Sequence, residues 1–244
     1  MSNLIIITGA AGTIGQETAQ LLSRKGYELL LIDKNADKLA PLVNQLPDCK
    51  WLKLDVTDAK LLANAFDDVA DKLYGVVLAA GIKGPIDRIE NCHDDEFNHL
   101  MNTNVNSVWL GIKHGLRILK PKKRGTIIAL SSISGVMGMP MLAPYCMSKH
   151  AVQGLVKTAA REAAASGVRI NAVAPGPVAS EMMMNIDNAL SRIKPGHTTS
   201  QSNIPMERYA EPIDVAQMIS FLCSEESAYC TGMTMMVDGG LTCR

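Results

Sequence analysis

A tyrosine and a lysine stand four residues apart in Tyr145-Cys146-Met147-Ser148-Lys149. On a helix that spacing puts both side chains on one face, a turn apart. Such a pair can make an acid/base of a phenol: free tyrosine has a pKa of about 10, and a fixed ammonium near the ring oxygen favours the phenolate. The same spacing also arises on ordinary helix surfaces, where the pair is worth about 0.3 kcal/mol. Which reading holds depends on what else the chain brings to this helix.

The elements that must position the pair show as alternating periods. Short apolar runs at Leu4 to Thr8, Glu28 to Ile32, Trp51 to Leu54, Val76 to Ala79, Thr126 to Leu130, Arg169 to Ala174 and Met233 to Val237 read as buried strands. Between them lie stretches of helical period, such as Ile14 to Lys25, Ala59 to Leu73, Phe97 to Leu119 and Tyr145 to Ala165. The alternation predicts an α/β fold, a Rossmann-type doubly wound parallel sheet of about seven strands with helices on both faces, because parallel strands need right-handed crossovers and hide both sheet surfaces. With no repeat, low-complexity tract or linker, residues 1–244 read as a single domain. Ligands of such sheets collect beyond the carboxyl ends of the strands.

Directly after the first strand comes Thr8-Gly9-Ala10-Ala11-Gly12-Thr13-Ile14-Gly15, followed by a helix. Glycines there let the backbone turn tightly, approach a pyrophosphate and bring helix and sheet together, while the helix N-terminus offers unpaired N–H groups. The second strand ends at Asp33, eighteen residues beyond Gly15, where an adenosine-ribose carboxylate belongs. A carboxylate accepts hydrogen bonds from a ribose 2′-hydroxyl and repels a 2′-phosphate, so NAD is expected over NADP. Lys34 is the opposing feature, and Asp33 also reads as a helix cap before Asn35 to Leu46.

Composition excludes several other classes. Basic and acidic residues balance at 24 each, so no net field recruits nucleic acid or an anionic membrane, and the cluster Lys120 to Arg124 reads as a solvated loop. The six cysteines, at 49, 92, 146, 223, 230 and 243, form no C-x-x-C pair and no zinc-like spacing with the five histidines. They read as free thiols in a reducing compartment, with no metal site. Without a charged leader or an apolar run of about 18 residues, the expectation is a cytoplasmic protein that does not enter a membrane.

On these motifs the chain resembles the short-chain dehydrogenase/reductase family, and most of all its classical subfamily, along essentially its whole length. Ser132, in Ser131-Ser132-Ile133-Ser134-Gly135, stands thirteen residues before Tyr145, and Asn104 lies in Thr103-Asn104-Val105. The resemblance implies a catalytic set of Asn104, Ser132, Tyr145 and Lys149. In it Tyr145 is the acid/base, and Lys149 lowers the phenol pKa and binds the nicotinamide ribose. Ser132 steadies the substrate oxygen, and Asn104 holds a water that links Lys149 to solvent. It also implies that Asp55 and Val56 meet the adenine, that Ala79, Ala80 and Gly81 face the dinucleotide after the fourth strand, and that the nicotinamide lies against Asn171 to Val178, notably Pro175, Gly176 and Val178. Arg208, Pro212 to Ala216 and Thr231 to Gly240 are similar to the family's C-terminal signature. Two places depart from the classical pattern: the middle glycine is Gly12 rather than at Thr13, as in the extended subfamily, and alanines replace the asparagines after the fourth strand. Read by type alone, Ser131, Ser132 and Ser134 end a strand, and Asn104 is a helix-surface or capping residue.

Between Val178 and Arg208 clear period is lost, and Met182, Met183, Met184, Ile186, Leu190 and Ile193 sit among polar residues, Pro195 and Gly196. A substrate-binding loop of about 179–208 is expected, a helix pair on the body being the other reading. Flexible methionines suit an apolar pocket, with Met139, Met141 and Leu142 on the opposite wall. The expected activity is NAD-dependent interconversion of a secondary alcohol and a ketone on a small, largely apolar or cyclic substrate held by Ser132, Met139, Tyr145, Met182 and Met183. The alternatives are an NADPH-dependent 3-oxoacyl thioester reductase and a catalytically silent dinucleotide-binding regulator. Apolar long helices with Ala159, Ala160, Ala163 and Ala164 point to a homo-oligomer, a tetramer or a dimer.

Overall fold

The computed structural model describes residues 3–193 and 199–243. Its strands are β1 (Leu4–Thr8), β2 (Glu28–Asp33), β3 (Cys49–Lys53), β4 (Leu73–Leu78), β5 (Gly125–Leu130), β6 (Val168–Pro175) and β7 (Thr234–Val237). They form one sheet in the order β3-β2-β1-β4-β5-β6-β7, with every pairing parallel. The winding reverses between β1 and β4, which opens a crevice at their carboxyl ends. This is the α/β, doubly wound, single-domain Rossmann-type sheet that the alternating periods predict.

Central strands β1, β4, β5 and β6 are buried along their whole length. Helices α1 (Thr13–Arg24), α2 (Ala36–Val43) and α8 (Pro212–Cys223) cover one face, and α3 (Ala59–Asp67), α5 (Ser107–Lys122) and α6 (Ala143–Ala163) the other. The two apolar cores reflect the two-residue period of the strands: Ile5, Ile7 and Val77 pack with Leu22 and Ile219, while Ile6 and Val76 pack with Phe66, Ile112 and Val156.

Several expectations need correction. Residues Lys50 to Lys53 of β3 are exposed, because β3 is an edge strand with a neighbour on one side only. The stretch from Ala59 to Leu73 is not one helix: α3 ends at Asp67 and Leu73 opens β4. The stretch from Phe97 is two helices, α4 (Asp94–Met101) and α5, joined by a π-helical turn over Asn102–Asn106. Lys120 to Arg124 is not a free loop. Its lysines close α5, and Lys122 Nζ donates to the carbonyls of Ala70, Asp71 and Leu73. Finally, Asn35 rather than Asp33 caps α2, accepting from Lys38 N.

Candidate active site

Tyr145 and Lys149 lie in the first two turns of α6, which opens with Pro144 near its N-terminus. Proline suits that position because the first helical N–H groups have no partner to lose. Lys149 is 5% exposed, and its ammonium donates to the carbonyl of Leu130, the last residue of β5, at 2.8 Å. It stands 5.6 Å from the centroid of the Tyr145 ring. The helix is thereby tied to the carboxyl end of the central sheet. Ser132 sits two residues beyond that end in extended backbone, and its hydroxyl accepts from Ser134 N at 3.1 Å.

Burial pushes the Tyr145 phenol up to about 12, and the hydrogen bond from Ser132 pulls only partly the other way. The same burial pushes Lys149 down to about 8. Each group is driven toward its neutral form. The Lys149 ammonium is engaged with the Leu130 carbonyl. Ser131, the neighbouring candidate, has its hydroxyl committed elsewhere: it donates to the carbonyl of Lys149 and accepts from Gln153 Nε2.

Asn104 lies in the π-helical turn and is fully buried, not on a helix surface. Its Oδ1 accepts from Ile82 N at 2.8 Å, and its Nδ2 donates to Ile82 O at 2.9 Å and Ser148 Oγ at 3.2 Å. π-Turns often mark functional positions because the extra residue re-aims a side chain. Here the side chain ties the segment after β4 to α6. A Cβ added at Gly81 would stand 3.3 Å from Asn104 Oδ1 and 3.6 Å from Lys149 Nζ, so a bare backbone lies beside both groups. Asn104 thus supplies side-chain support close to where the alanines after β4 leave none.

The crevice meets the requirements of a dinucleotide. At Gly9 φ is +68° and an added Cβ would lie 2.5 Å from Ala80 N, so the turn presses directly on the segment after β4. Gly12 precedes α1 with no side-chain cap, leaving the first N–H groups of the helix for an anionic ligand. Asp33 Oδ2 accepts from Ala11 N at 3.0 Å and Oδ1 from Asn35 N at 2.9 Å, which fixes the carboxylate against the glycine turn. A cavity of about 150 Å³ at this end is lined by Gly9, Gly12, Asp33, Lys34, Asp55, Val56, Ala79, Ala80 and Gly81, together with Leu54, Ile82 and Thr103. Hydrogen bonds from Thr57 hold the Asp55 carboxyl below its ordinary range. Gly15 lines neither cavity; its Cβ would fall 2.2 Å from Gly9 O, so it permits close packing. Thr13 is the exposed first residue of α1 and lines neither cavity.

A second cavity, of about 390 Å³, adjoins the first through Ala79 and Gly81. Ser132, Tyr145 and Lys149 line it together with Ile14, Pro175, Gly176 and Val178 and with Met139, Leu142, Met182 and Met183. Met141 does not line it. Its backbone has φ +70° and its carbonyl accepts from Asp87 N instead. The segment expected as a loop contains a helix, α7 (Glu181–Ile193), and a short 3₁₀ turn, Ser200–Asn203. Met183, Ile186 and Leu190 share a face of α7 toward the cavity, a spacing of three and four that the surrounding polar residues obscure in the sequence. Pro195 and Gly196 lie outside the described residues. Sequence reasoning missed Met137, Ser200, Asn203 and Leu241, which reach the cavity from segments without period.

The arrangement brings a phenol, a hydroxyl and an ammonium into an apolar pocket that opens onto the dinucleotide crevice. When bound, the dinucleotide supplies or takes up a hydride. Transfer to or from carbon also needs a proton moved on the substrate oxygen, and the phenol with its serine neighbour can give or accept that proton while holding the oxygen in place.

Known proteins share this plan. Residues 9–242 match the family model described as enoyl-(acyl carrier protein) reductase. L-2,3-butanediol dehydrogenase of Corynebacterium glutamicum is 36% identical over 99% of both chains. ElxO with bound NADP superposes with a TM-score of 0.90 at 29% identity over 100% of both chains. NAD⁺-bound xylitol dehydrogenase gives a TM-score of 0.92 at 25% identity over 98% of both. From the winding of the sheet, the glycine turn and the serine, tyrosine and lysine at its carboxyl end, and from these likenesses, the chain belongs to the short-chain dehydrogenase/reductase family and is an NAD(P)-dependent oxidoreductase acting on CH–OH groups.

Proposed function

We propose that the protein interconverts a small, largely apolar or cyclic secondary alcohol and its ketone, with NAD as the preferred dinucleotide. The observation that carries the substrate reading is the wall of the larger cavity: among the described residues Lys149 is its single charged side chain, and the rest is mainly methionine, leucine, isoleucine, serine and proline. A substrate carboxylate or phosphate would be desolvated there against an ammonium already engaged with the Leu130 carbonyl. The likeness to a butanediol dehydrogenase agrees with a compact, uncharged substrate. In this reading Tyr145 is the acid/base, Ser132 holds the substrate oxygen, Lys149 orients the nicotinamide ribose, and Asn104 holds a water beside Lys149. Met182 and Met183, within a binding segment of about 179–208, contact the substrate, as does Met139 from the other wall.

NAD preference is supported by Asp33, whose carboxylate lines the adenosine end of the crevice and would repel a 2′-phosphate. Lys34 lines the same cavity and is the counterweight. The assay is direct: a panel of uncharged secondary alcohols is followed by reduced-dinucleotide absorbance with NAD and with NADP. Turnover with a lower KM for NAD supports the reading, and a clear NADP preference refutes the role given to Asp33. A second reading, NADPH-dependent reduction of a 3-oxoacyl thioester, is favoured by the likeness to a 3-oxoacyl-[acyl-carrier-protein] reductase of Rickettsia bellii, 32% identical over 97% of this chain. Faster turnover of such a thioester than of any alcohol or simple ketone would select it.

The protein is further proposed to work as a homo-oligomer in the cytoplasm. All six cysteines are unpaired, as a reducing compartment keeps them. Among the described residues no helix is long and apolar enough to cross a membrane.

A further inference from the structure

Asp187 is the only buried carboxylate among the described residues, at 9% exposure, and no lysine or arginine pairs with it there. A buried carboxylate without a cation must be satisfied by donors. Three converge on it: Ser200 N at 3.1 Å and Ser200 Oγ at 2.7 Å on Oδ1, and the Tyr209 hydroxyl at 2.5 Å on Oδ2. Hydrogen bonds to an ionised acceptor are about twice as strong as neutral ones.

These partners come from separate segments beside the larger cavity, and of them Ser200 lines it. Asp187 follows Ile186 on α7, Ser200 begins the 3₁₀ turn and itself lines the cavity, and Tyr209 precedes Ala210. Ala210 N donates to Pro177 O, and Ala179 N to Ala210 O, each at 2.9 Å, beside the cavity residues Pro177 and Val178. The Tyr209 hydroxyl and Ser200 meet on this one carboxylate, so Asp187 gathers the turn as well as the helix. The one ion pair found on α7, Lys38 to Glu181 at 3.9 Å, is exposed and weak by comparison. Asp187 is the polar joint of the pocket.

We propose that Asp187 is a positioning residue for substrate selection: by binding Ser200 and Tyr209 it holds the Met183, Ile186 and Leu190 face of α7 against the cavity and so sets the size of alcohol accepted. The proposal rests on the reading of this cavity as the alcohol pocket. The carboxylate is suited to the task because two oxygens serve three donors, whereas an amide offers one oxygen and sets an NH₂ against the other donor.

The test compares Asp187→Asn and Tyr209→Phe with the unaltered protein on a series of 2-alkanols of increasing length, together with hydrogen exchange of peptides from α7 and α6. Losing one charge-assisted hydrogen bond is expected to raise KM for the preferred alkanol about tenfold, with kcat within about threefold and KM for the dinucleotide unchanged. Discrimination by chain length flattens, and α7 amides exchange about tenfold faster while α6 amides do not change. Unchanged length preference and unchanged α7 exchange in both variants would overturn the proposal. So would an equal loss of dinucleotide binding and α6 protection, the mark of general unfolding. If the unaltered protein turns over no alkanol, the alcohol reading fails by itself, and α7 exchange still decides for or against the joint.

Discussion

At Tyr145 and Lys149, desolvation works on a base and an acid at once, holding the phenol protonated and weakening the ammonium's grip on its proton. The sign of the pH dependence follows. Oxidation of an alcohol needs a proton acceptor, so kcat/KM for oxidation should climb as pH rises from 7 to 10, because the phenol titrates toward about 12 rather than at its ordinary 10.0. Ketone reduction needs the protonated phenol and should stay nearly flat through neutrality. Paired pH profiles in the two directions check this, and an oxidation rate that falls with rising pH would contradict it. The sequence singles out Ser132 from its serine neighbours by distance to Tyr145 alone, and the structure gives Ser131 a separate task under Lys149. Asn104 was not legible in the same way. The π-turn that buries it has no marker in Asn102-Thr103-Asn104-Val105-Asn106, and its backbone partners lie twenty-two residues away.

Among the elements, the glycine turn has different constraints at each glycine, and substitution should separate them. Gly9→Ala forces a Cβ to within 2.5 Å of Ala80 N at positive φ, and Gly15→Ala forces one to within 2.2 Å of Gly9 O. Each should cost about 2–4 kcal/mol in urea unfolding, since neither backbone contact can retreat. Gly12→Ala meets only Gly9 O at 3.2 Å, with φ at −74°. It should change stability by less than about 1 kcal/mol and chiefly weaken dinucleotide binding in fluorescence titration. Strands such as β1 and β5 were readable because they are largely apolar runs, whereas β3, with Lys50 and Lys53 among its five residues, carries only Trp51 and Leu52 as large apolar side chains and is exposed at the sheet edge. For α7 the reason is different. Its apolar face rests on Met183, Ile186 and Leu190, and the neighbouring Met182, which also lines the cavity, and the exposed Met184 blur the period.

On the whole-molecule scale, apolar side chains remain on helices that nothing in the single chain covers: Trp109 of α5 is 51% exposed and Met147 of α6 54% exposed. Single exposed apolar residues are ordinary, but two large ones on long packed helices fit a face shared with another copy. Light scattering after size exclusion should give a dimer or tetramer of the 26.3 kDa chain, and Trp109→Glu should shift it toward smaller species. A monomer at micromolar concentration would remove the oligomer from the account. The doubly wound topology was readable from the alternation of periods, because handed crossovers leave few ways to join parallel strands. Pocket walls built by Leu241 and Ser200 were not, since they arrive from irregular segments whose destination depends on tertiary packing. All these features serve one claim, that Tyr145 moves the proton that accompanies hydride transfer between a secondary alcohol and a nicotinamide. The most direct test is Tyr145→Phe, assayed for alcohol-dependent NADH formation beside NADH binding by fluorescence. Turnover should fall by about 10²–10⁴-fold with the dissociation constant for NADH unchanged. Turnover within a few-fold of the unaltered protein, on an alcohol that it oxidises, would contradict the claim.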